Sequence, residues 1–359
     1  MIFLEHTITV LHICNFSAPY KGNFIESLCS LEQYQGVKNI YLFPHRARTN
    51  NAKHWIAELN ENGTVAYTQE SNSLKNGRLL TRILRIHQVT HVITHFSDAK
   101  MDIILKLLFD SKRVMRFFHC MYPRSTKSLK HHVAKIFWKH NLLVGVSHAV
   151  SEGLRVAFKN FRIETVENAV SFERLLTADA FPKSEDVSLL MMGWDHHGKG
   201  VDLALKATEQ LYPHYRCRLY IVAGAQTDSM TAYIQETLGT VPNWITVLPP
   251  TNNIATYYNA ADVFLSPSRS EAFGYAVVEA AYCKNSIVAS NIDGQGQLQI
   301  DGVYWFRSED VDQFCDQLEL AINDLKDPRN LSNREAVKQQ VQDRYGLKRW
   351  SEEVAALLP

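Results

Sequence analysis

Two carboxylates stand out in the stretch "SPSRSEAFGYAVVEAAYC", residues 266–283. Glu271 and Glu279 have seven residues between them, and the second one falls in an apolar segment. An unpaired carboxylate in a protein interior is energetically costly, so Glu279 has no packing use there. We therefore expect both carboxylates to face a ligand rich in hydroxyl groups. The alternative is a pair of solvent-exposed glutamates that flank a helix.

The local pattern indicates which ligand this would be. A β-rich run, "VFLSPS", precedes a turn, and a helix is predicted to begin near Phe273 and Gly274. Free amide groups at a helix start bind phosphate, and Glu279 would lie about 7 to 8 Å further along the axis. A ribose lies at about that distance from its diphosphate, and Glu279 could accept from both ribose hydroxyls. Glu271, before the turn, would face a sugar at the other end of the ligand.

Composition limits the class of protein. The chain has 359 residues, of which 46% are hydrophobic, enough for two domains with sizeable cores. Its six cysteines are scattered without a CxxC pair, which favours reduced thiols in the cytoplasm over disulfides or zinc. The first segment, "MIFLEHTITVLHIC", is predicted to be a strand rather than a signal peptide. No run of 18 apolar residues is present, so we expect no membrane span.

Charge divides the chain into two halves. Residues 1–170 carry 22 basic against 12 acidic residues, a net charge of +10. The remaining residues carry 16 against 25, a net charge of −9. A basic half usually meets an anionic partner, so we expect the two halves to bind different ligands.

Short, nearly continuous apolar runs recur between amphipathic segments, as expected for parallel strands that are covered on both faces. The first half has "ITVLHIC", "NIYLF", "HVITHF", "VMRFFH" and "LLVGVS", and the second has "SLLMMG", "RLYIVAG", "WITVLP", "VFLSPS" and "SIVAS". This alternation predicts two doubly wound α/β domains, at residues 1–170 and 171–340. The polar segment at 168–186 is predicted to be the linker. Gly346 is predicted to separate two helices, of which the last, in 341–359, would join the first domain.

Several motifs together resemble one family. The segment "SPSRSEAFGYAVVEA" closely resembles the E-x7-E signature of the retaining GT-B glycosyltransferases of family 4. "LLMMGWDHHGKGVDLALKA" resembles the first strand and loop of that family's donor domain, and "LVGVSHAVSEGL" the end of its acceptor domain. The resemblance implies a GT-B fold. In that fold two Rossmann-like domains face each other across a cleft, and the C-terminal helices cross back to the N-terminal domain.

The resemblance also implies roles for residues of the donor domain. Lys199 would neutralise the donor diphosphate, as a mobile ammonium on a glycine-rich loop can. The family usually has an arginine where this chain has Trp194, so that diphosphate contact is either missing or supplied by another residue, such as His196, His197 or Arg269. The glycine usual after the second glutamate's helix is replaced by Lys284. The implied donor-binding residues are Gly22, Trp194, Lys199, Arg269, Phe273, Gly274, Tyr275 and Glu279, and the implied catalytic residues are Glu271, His119 and Lys199.

In the N-terminal half the same resemblance concerns two residues. Gly22, in "NFSAPYKGNFIESLCSL", resembles the family's glycine loop under the transferred sugar. A glycine at a strand–helix turn is commonplace, however, and is the alternative interpretation. His119, in "RFFHCMYP", would lie at the carboxyl end of a strand, where the family often has a histidine near the reacting sugar. A histidine satisfied within a loop is the alternative.

The implied reaction is a retaining, metal-independent transfer of a hexose, in which the leaving phosphate takes the acceptor's proton. The donor would be a UDP-sugar, and no other cofactor is expected. The sequence "DVD", which begins at Asp310, mimics a metal-binding motif, but we interpret it as the N-terminal cap of a helix. No metal site is predicted.

Residues 124–140, "RSTKSLKHHVAKIFWKH", form a basic segment. At helical spacing its predicted core face consists of Leu129, Val133, Ile136 and Phe137, and its opposite face of Lys127, His131, Lys135 and Lys139, with Trp138 and Ser128 among them. A tryptophan amid lysines is typical of a membrane–water interface, so peripheral contact with the inner face of the cell membrane is predicted. A solvated face with one exposed aromatic ring is the alternative. Nucleic acid is not expected as a partner, because no recognition motif is present.

The predicted function is therefore sugar transfer from a nucleotide-sugar to a glycan or lipid-linked acceptor, in the synthesis of bacterial surface polysaccharide or glycoconjugate. Two alternatives share the fold. One is a sugar-nucleotide epimerase, which should have acid–base carboxylates in both domains. The other is a catalytically inactive GT-B partner subunit, against which the intact Glu271, Glu279 and Lys199 argue.

Overall fold

The computed structural model describes residues 8–18, 21–32, 34, 36–49, 53–62, 64–69, 73–96, 99–122, 129–182, 185–224 and 227–358. The chain divides into two compact units. Unit 1 comprises Met1–Ala169 and Leu347–Pro359, and unit 2 comprises Val170–Gly346. The predicted division lay after residue 170, with the return to the first domain at 341.

Unit 1 contains a parallel sheet of seven strands in the order β3-β2-β1-β4-β5-β6-β7. Its strands are β1 (Ile8–Cys14), β2 (Val37–Phe43), β3 (Thr64–Tyr67), β4 (His91–His95), β5 (Val114–Phe118), β6 (Leu142–Gly145) and β7 (Arg162–Thr165). The order reverses direction between β1 and β4. At such a point the strand-to-helix loops separate and leave room for a ligand beyond the strands' carboxyl ends.

The first seven helices connect these strands. They are α1 (Asn23–Glu32), α2 (His45–Thr49), α3 (Lys53–Asn62), α4 (Ser73–Ile86), α5 (Ala99–Leu108), α6 (Leu129–Trp138) and α7 (His148–Ala157). Leu28 of α1 and Trp55 of α3 pack with Tyr41 and Phe43 of β2 in one core. Helices α4 and α5 contribute to a second core together with β1, β2 and β4. Both faces of the sheet are therefore covered, as the continuous apolar runs predict.

Unit 2 contains a parallel sheet of six strands in the order β10-β9-β8-β11-β12-β13. The strands are β8 (Val187–Met192), β9 (Cys217–Val222), β10 (Ile245–Leu248), β11 (Val263–Ser266), β12 (Ser286–Ser290) and β13 (Val303–Phe306). The helices are α8 (Val201–Tyr215), α9 (Thr227–Leu238), α10 (Ala255–Ala260), α11 (Tyr275–Tyr282), α12 (Val311–Asn323) and α13 (Pro328–Tyr345). Two cores, one on each face of the sheet, fill this unit.

The chain leaves unit 2 at Gly346 and forms α14 (Leu347–Ala356) in unit 1. Helix α14 packs against α1, and the buried Trp350 lies 6.3 Å from the ring of Phe117. Arg349 Nη2 donates to the backbone carbonyl of Glu167 at 2.7 Å. The predicted separation of two helices by Gly346 is confirmed.

Helix capping agrees with the sequence at Asp310. Its side chain accepts a hydrogen bond from the backbone N–H of Gln313 at 3.0 Å, and α12 begins at the next residue. The cap predicted for the "DVD" sequence is confirmed.

All ten predicted strand segments form strands in the structure, but β3, β7 and β13 were not predicted. Each of these three lies at an edge of its sheet, and most of their residues are only half-buried. An edge strand covered on part of its surface does not need a continuous apolar run. The β7 segment "RIET" accordingly lacks an apolar run, whereas "VYWF" of β13 is apolar throughout and could have been predicted as a strand.

The predicted linker at 168–186 is wrong in its first part. Val170 donates to the carbonyl of Tyr345 at 2.8 Å, and Phe172 and Leu175 are buried in the core of unit 2. Phe172 also stacks on Tyr282, with ring centroids 4.5 Å apart. Arg174, between the two buried residues, reaches the site described below. Because the segment is mostly polar, the helical spacing of its two core residues, Phe172 and Leu175, was not recognised.

The predicted core face of α6 is also wrong. Leu129 is 80% exposed and Ile136 is 67% exposed, whereas His131, which was predicted to face solvent, is buried. His131 Nδ1 lies 3.1 Å from the hydroxyl of Tyr122. Trp138 donates through Nε1 to the buried carboxylate of Asp102 at 2.9 Å. Polar partners therefore turn the helix so that its apolar side chains face outward.

Lys127 and Ser128, which belong to the same prediction, lie outside the described residues. No helix in the described part of the chain is both long and apolar enough to span a bilayer.

Candidate functional site

The loop between β11 and α11 contains the first of the two glutamates. Helix α11 begins at Tyr275, directly after Gly274, whose φ of +103° lies in a region that favours glycine. The first amide groups of a helix have no partner within it and carry partial positive charge. The predicted phosphate-binding helix start is therefore at Gly274–Tyr275.

Glu279 lies in the second turn of α11 and is buried, with two partners inside the protein. The hydroxyl of Tyr258 donates to Glu279 Oε2 at 2.9 Å, and Arg174 Nη1 lies 3.7 Å from Oε1. Burial and the neighbouring carboxylate raise the pKa of Tyr258 well above its ordinary value, so this hydroxyl stays a donor. The prediction that Glu279 has no partner within the protein is therefore wrong. Tyr258 and Arg174 hold the carboxylate at a defined position.

Glu271 is joined to Lys199, which comes from a different loop. Lys199 Nζ donates to Glu271 Oε1, and the hydroxyl of Ser268 donates to the same oxygen at 3.1 Å. The side chains of Lys199 and Glu271 are only 15% and 17% exposed. The structure therefore brings together two of the three predicted catalytic residues.

Trp194 occupies the position where the family usually has an arginine, and it is 64% exposed. The ammonium of Lys199 lies 5.0 Å from the centroid of its ring. A cation over an aromatic face is attracted by about 0.5 to 1 kcal/mol at an exposed site. Trp194 therefore contributes to placing Lys199, although it has no positive charge of its own.

Two glycines allow the loops around Glu271 to approach each other. A Cβ at Gly200, whose φ is +66°, would lie 2.0 Å from the carbonyl oxygen of Pro267. A Cβ at Gly294 would lie 1.9 Å from the carbonyl oxygen of Glu271 itself. Neither position can accept a side chain without moving the backbone. The position of Glu271 thus depends on close packing of three loops.

A buried glutamine that was not predicted to be part of the site, Gln295, stabilises the loop that contains Glu271. Gln295 Nε2 donates to the carbonyls of Ser266 and Ser290, at 3.0 and 2.8 Å. Its Oε1 accepts from the hydroxyl of Ser266 at 2.8 Å. Ser290 in turn donates to the carbonyl of Ser268 at 2.5 Å. The segment "NIDGQG", residues 291–296, contains this residue, but no pattern in the sequence indicates its role.

Arg269 does not have the surroundings expected of a diphosphate contact. It forms two hydrogen bonds with Asp202, at 2.7 and 2.9 Å, and two with Glu309. The remaining N–H donates to the carbonyl of His197 at 2.7 Å. A guanidinium has five N–H groups, so these contacts occupy all of them. We therefore infer that Arg269 stabilises the loop that contains Lys199 rather than binding the diphosphate.

Phe273 was predicted to bind the donor at the helix start, where the backbone amides are free. Its side chain is buried in the core of unit 2, with its ring 5.5 Å from that of Tyr345. Only its backbone lies in the loop before α11, so its side chain is part of the core. Tyr275 packs against it at 5.2 Å and is half-buried.

In unit 1, the predicted residues lie at the carboxyl ends of β1 and β5. The carbonyl of Gly22 accepts from the amides of Ile25 and Glu26, at 3.0 and 3.2 Å, so α1 begins directly after this glycine. His119 follows β5 and packs edge-on against Phe24 of α1, with ring centroids 5.3 Å apart. His119 therefore packs against the first turn of α1, the helix that Gly22 directly precedes.

His119 is part of a row of histidines that the sequence analysis did not recognise. His95 Nδ1 lies 3.1 Å from His119 Nε2, and His12 Nδ1 lies 3.4 Å from His95 Nε2. Burial lowers the pKa of His12 to about 4 and that of His119 to about 3, and lowers the pKa of His95 well below its ordinary value. All three imidazoles are therefore neutral at neutral pH. The signal in the sequence was that three predicted strand segments, "ITVLHIC", "HVITHF" and "VMRFFH", each contain at least one histidine.

Comparison with known proteins identifies the domain type. Residues 176–338 match the family Glycosyl transferases group 1. Unit 2 carries a glycosyl transferases group 1 domain.

The structure superposes on a glycosyltransferase from Rickettsia africae with a TM-score of 0.80, 19% identity and 98% coverage of both chains. It superposes on Anabaena HepE in complex with UDP with a TM-score of 0.76 and 14% identity, over 98% of this chain and 99% of that one. Together with the two parallel-sheet units, these similarities show that the fold is GT-B.

A curated relative is the gpi3 subunit of phosphatidylinositol N-acetylglucosaminyltransferase from Schizosaccharomyces pombe. The two are 20% identical over 191 residues, which are 52% of this chain and 42% of that protein. The chain spans 25% to 57% of the length of the curated relatives it matches.

Proposed function

We propose that this protein is a retaining glycosyltransferase that moves a hexose from a nucleotide-sugar, most simply a UDP-sugar, to a hydroxyl acceptor. The observation that carries the proposal is the Lys199–Glu271 pair beside the start of α11, within a glycosyl transferases group 1 domain. The Anabaena neighbour that binds UDP supports the choice of nucleotide.

Each group of the unit 2 site has a role in this reaction. Glu279 would accept hydrogen bonds from the ribose hydroxyls, and the amides at Gly274–Tyr275 would bind the diphosphate. Lys199 would stabilise the negative charge that develops on the leaving diphosphate, as fixed positive groups do in a water-poor site. Glu271 would position both Lys199 and the transferred sugar.

The proposed step breaks the bond between the sugar's anomeric carbon and the diphosphate oxygen. The acceptor oxygen forms its bond to that carbon on the same face, and its proton moves to the departing phosphate oxygen. The electron pair of the broken bond stays on the diphosphate. No protein nucleophile and no divalent metal are needed, so the chain contributes orientation and charge stabilisation.

We also propose that unit 1 binds the acceptor, a glycan or a lipid-linked sugar, in the synthesis of a bacterial surface polysaccharide or glycoconjugate. The net charge of +10 in residues 1–170 suits an acceptor that bears phosphate. The gpi3 relative is named for transfer to phosphatidylinositol, a lipid with such a headgroup.

The membrane contact that we propose lies on the face formed by α4, α5 and α6, which extends the predicted segment at 124–140. Helix α4 contacts α5, and α5 contacts α6. Eight exposed large apolar side chains lie on these helices, namely Leu74, Ile86, Ile103, Leu107, Leu108, Leu129, Val133 and Ile136. A groove of about 620 Å³ between α4 and α5 is lined by some of them and by Arg78, Arg82 and Arg85.

The charged residues of the face formed by α4, α5 and α6 favour an anionic membrane as its partner. Helices α4 and α6 contain no acidic residue, and the acidic residue of α5, Asp102, is buried against Arg116 at 2.5 Å. Apolar side chains among arginines and lysines fit an anionic bilayer, where each basic residue near the surface contributes about 1 kcal/mol. Trp138 no longer supports the contact, because its N–H is bonded to Asp102.

Vesicle co-sedimentation tests this surface. The parent should bind vesicles that contain phosphatidylglycerol at low salt, bind less as salt rises, and ignore phosphatidylcholine vesicles. Replacing Leu107, Leu129 and Ile136 with serine should abolish binding. A matched variant with Val156→Ser and Leu320→Ser, which are exposed apolar positions on α7 and α12, should bind like the parent. Parent protein that ignores anionic vesicles at low salt would remove the membrane contact and leave the transferase intact.

The activity is tested by incubating the protein with a panel of nucleotide-sugars and measuring released nucleotide, with and without candidate acceptors. A transferase releases nucleotide, whereas an epimerase converts the sugar without releasing it, and an inactive partner subunit does neither. The product's anomeric configuration should match that of the donor, and EDTA should leave the rate unchanged. An inverted product, or activity that EDTA abolishes and manganese restores, would contradict the proposed mechanism.

A further inference from the structure

Four polar side chains form a continuous row across four adjacent strands of unit 1. Asn39 lies on β2, His12 on β1, His95 on β4, and His119 directly after β5. Asn39 Oδ1 lies 3.0 Å from His12 Nε2, and the two contacts between imidazoles, 3.4 and 3.1 Å, complete the row. The first three residues are buried, while His119, at the end, is half-buried.

Asn39 fixes the direction of the hydrogen bonds in this row. Its Nδ2 donates to the backbone carbonyl of Leu31 at 3.2 Å. A carbonyl can only accept, so the amide cannot be turned around without setting two acceptors against each other. Asn39 Oδ1 must therefore face His12. Because this oxygen can only accept a hydrogen bond, His12 Nε2 must be protonated and donate to it.

The direction passes from ring to ring, because a neutral imidazole has one donor and one acceptor nitrogen. His12 Nδ1 is left as an acceptor, so His95 Nε2 donates to it. His95 Nδ1 is then an acceptor, so His119 Nε2 donates in turn. His119 Nδ1 is left with a lone pair. The lowered pKa values of all three histidines keep the rings neutral, which this alternation requires.

Aromatic packing holds the last ring in place. Phe96 stacks on His119 with centroids 4.2 Å apart and an angle of 21° between the planes. Phe96 directly follows His95 and has a φ of +53°, a conformation that is costly for a bulky residue. Such strain persists where the surrounding structure enforces it, and it is concentrated at functional sites. The residue after β4 is thus held so that it covers His119.

We propose that Asn39, His12 and His95 act as positioning residues that fix His119 as its Nε2–H tautomer. The contact with a sugar that the family resemblance implies for His119 would then be made by Nδ1, as the acceptor of a hydrogen bond from a sugar hydroxyl. The assignment of the ligand rests on the proposed function, whereas the tautomer follows from the row of contacts alone. A site that presents an acceptor discriminates against sugars that lack the donating hydroxyl.

Nitrogen NMR of the full-length protein with ¹⁵N-labelled histidine tests the tautomers directly. His12, His95 and His119 should each show a protonated Nε2 and an unprotonated Nδ1 at neutral pH. Asn39→Leu should shift the signals of His95 and His119 toward a mixture of tautomers. The matched variant Asn141→Leu, which removes another buried amide of unit 1, should leave them unchanged. A protonated Nδ1 on His119 in the parent would overturn the proposal, whatever the variants do.

Binding of UDP-glucose tests the ligand assignment, with each sugar hydroxyl in turn replaced by fluorine, which cannot donate. One analogue should bind the parent about 10-fold more weakly than UDP-glucose, the loss expected for one hydrogen bond. His119→Phe, which keeps a ring on Phe96, should remove that difference between the two ligands. Equal binding of all analogues, or no binding of UDP-glucose, overturns the ligand assignment. Failure of the proposed function is distinct, since it requires that no nucleotide-sugar of the panel releases its nucleotide.

Discussion

At the carboxyl ends of its strands, unit 1 presents a row of neutral imidazoles, whereas unit 2 presents carboxylates paired with cations. In unit 1 the row of hydrogen bonds begins at Asn39, and each imidazole determines which nitrogen of the next one is protonated, as far as His119. In unit 2 the positions of Glu271 and Glu279 are set by the charges of Lys199 and Arg174. Polar groups are thus positioned by hydrogen bonds between neutral rings in unit 1 and by ion pairs in unit 2. We expect the two sites to respond differently to mutation and to pH.

Glu271→Gln should have the largest effect, because a neutral amide neither holds Lys199 by charge nor binds the sugar as strongly. We expect kcat/KM to fall about 100-fold, mainly through kcat, as for the loss of one preorganised charged contact. Steady-state kinetics with the best donor of the panel measures this. Ser268→Ala, which removes a neutral hydrogen bond to the same oxygen, is the matched control and should cost less than 10-fold. Turnover of Glu271→Gln at the parent's rate would show that the ion pair of unit 2 is only structural.

Acidification should weaken unit 1 before unit 2. Because the pKa of His12 is lowered from 6.5 to about 4 by burial, the unfolded chain takes up this proton first as the pH falls below 6.5. Stability from this residue is therefore complete above 6.5 and is lost progressively down to about pH 4. Between pH 7 and pH 5 the loss from His12 alone is about 2 kcal/mol in the free energy of unfolding.

Unit 2 should lose stability only in a more acidic range. Burial opposes ionisation of Asp202, but its hydrogen bonds from Arg269 outweigh this and lower its pKa below 3.8. Its contribution is present above that value and is lost as the pH falls further. Hydrogen exchange resolved by peptide, at pH 7 and pH 5 and corrected for intrinsic rates, should show loss of protection in β1 and β4 but not in β11. Equal loss in both units would remove this distinction.

Glu279→Gln should weaken nucleotide binding about 10-fold, with a smaller effect on kcat, because an amide accepts less strongly from ribose hydroxyls. Calorimetric titration with UDP measures the change. Tyr258→Phe keeps the negative charge and removes only the protein's own hydrogen bond, so UDP affinity should stay within about threefold of the parent's. If the two variants bind UDP equally well, the charge of Glu279 does not contact the nucleotide.

Lys284→Gly should have the smallest effect, and it should be stabilising. Lys284 follows α11 with a φ of +66°, a conformation that costs a residue with a side chain about 1 to 2 kcal/mol. Part of that gain is offset by the flexibility of glycine and by loss of the exposed ion pair with Glu335, so we expect about 0.5 kcal/mol in urea unfolding. Glu335→Gln isolates the ion pair and should change stability by less. A destabilised Lys284→Gly would mean that backbone strain at this cap is not relieved by glycine.

The sequence predicted the parts of the molecule whose signals are local. Continuous apolar runs located all the inner strands, and Gly346 and Asp310 marked helix boundaries correctly. The two glutamates, Lys199 and the glycine before α11 were singled out from one short stretch and one loop. Their proposed roles in catalysis remain predictions.

The parts that failed depend on contacts between distant segments. Arg174 was assigned to a linker, yet it pairs with Glu279, and nothing near it in sequence indicates that contact. Tyr258 and Gln295 are ordinary residues until the fold places a carboxylate or a loop beside them. On α6, helical spacing assigned the apolar side chains to the core, because the burial of His131 depends on Tyr122, from another part of unit 1. Periodicity describes one helix, whereas burial is decided by its neighbours.

The return of the chain to unit 1 as α14 has a consequence for biosynthesis. Trp350 and Arg349 complete the packing around Phe117 and Glu167, but the ribosome makes them only after all of unit 2. Domains generally fold as units during synthesis, beginning with the N-terminal one. Here the sheet of unit 1 is translated before unit 2, but the helix α14 that completes its packing is translated after unit 2. All of unit 2 is therefore synthesised while unit 1 still lacks α14. A chaperone that recognises exposed apolar surface would find that surface on unit 1 of the nascent chain.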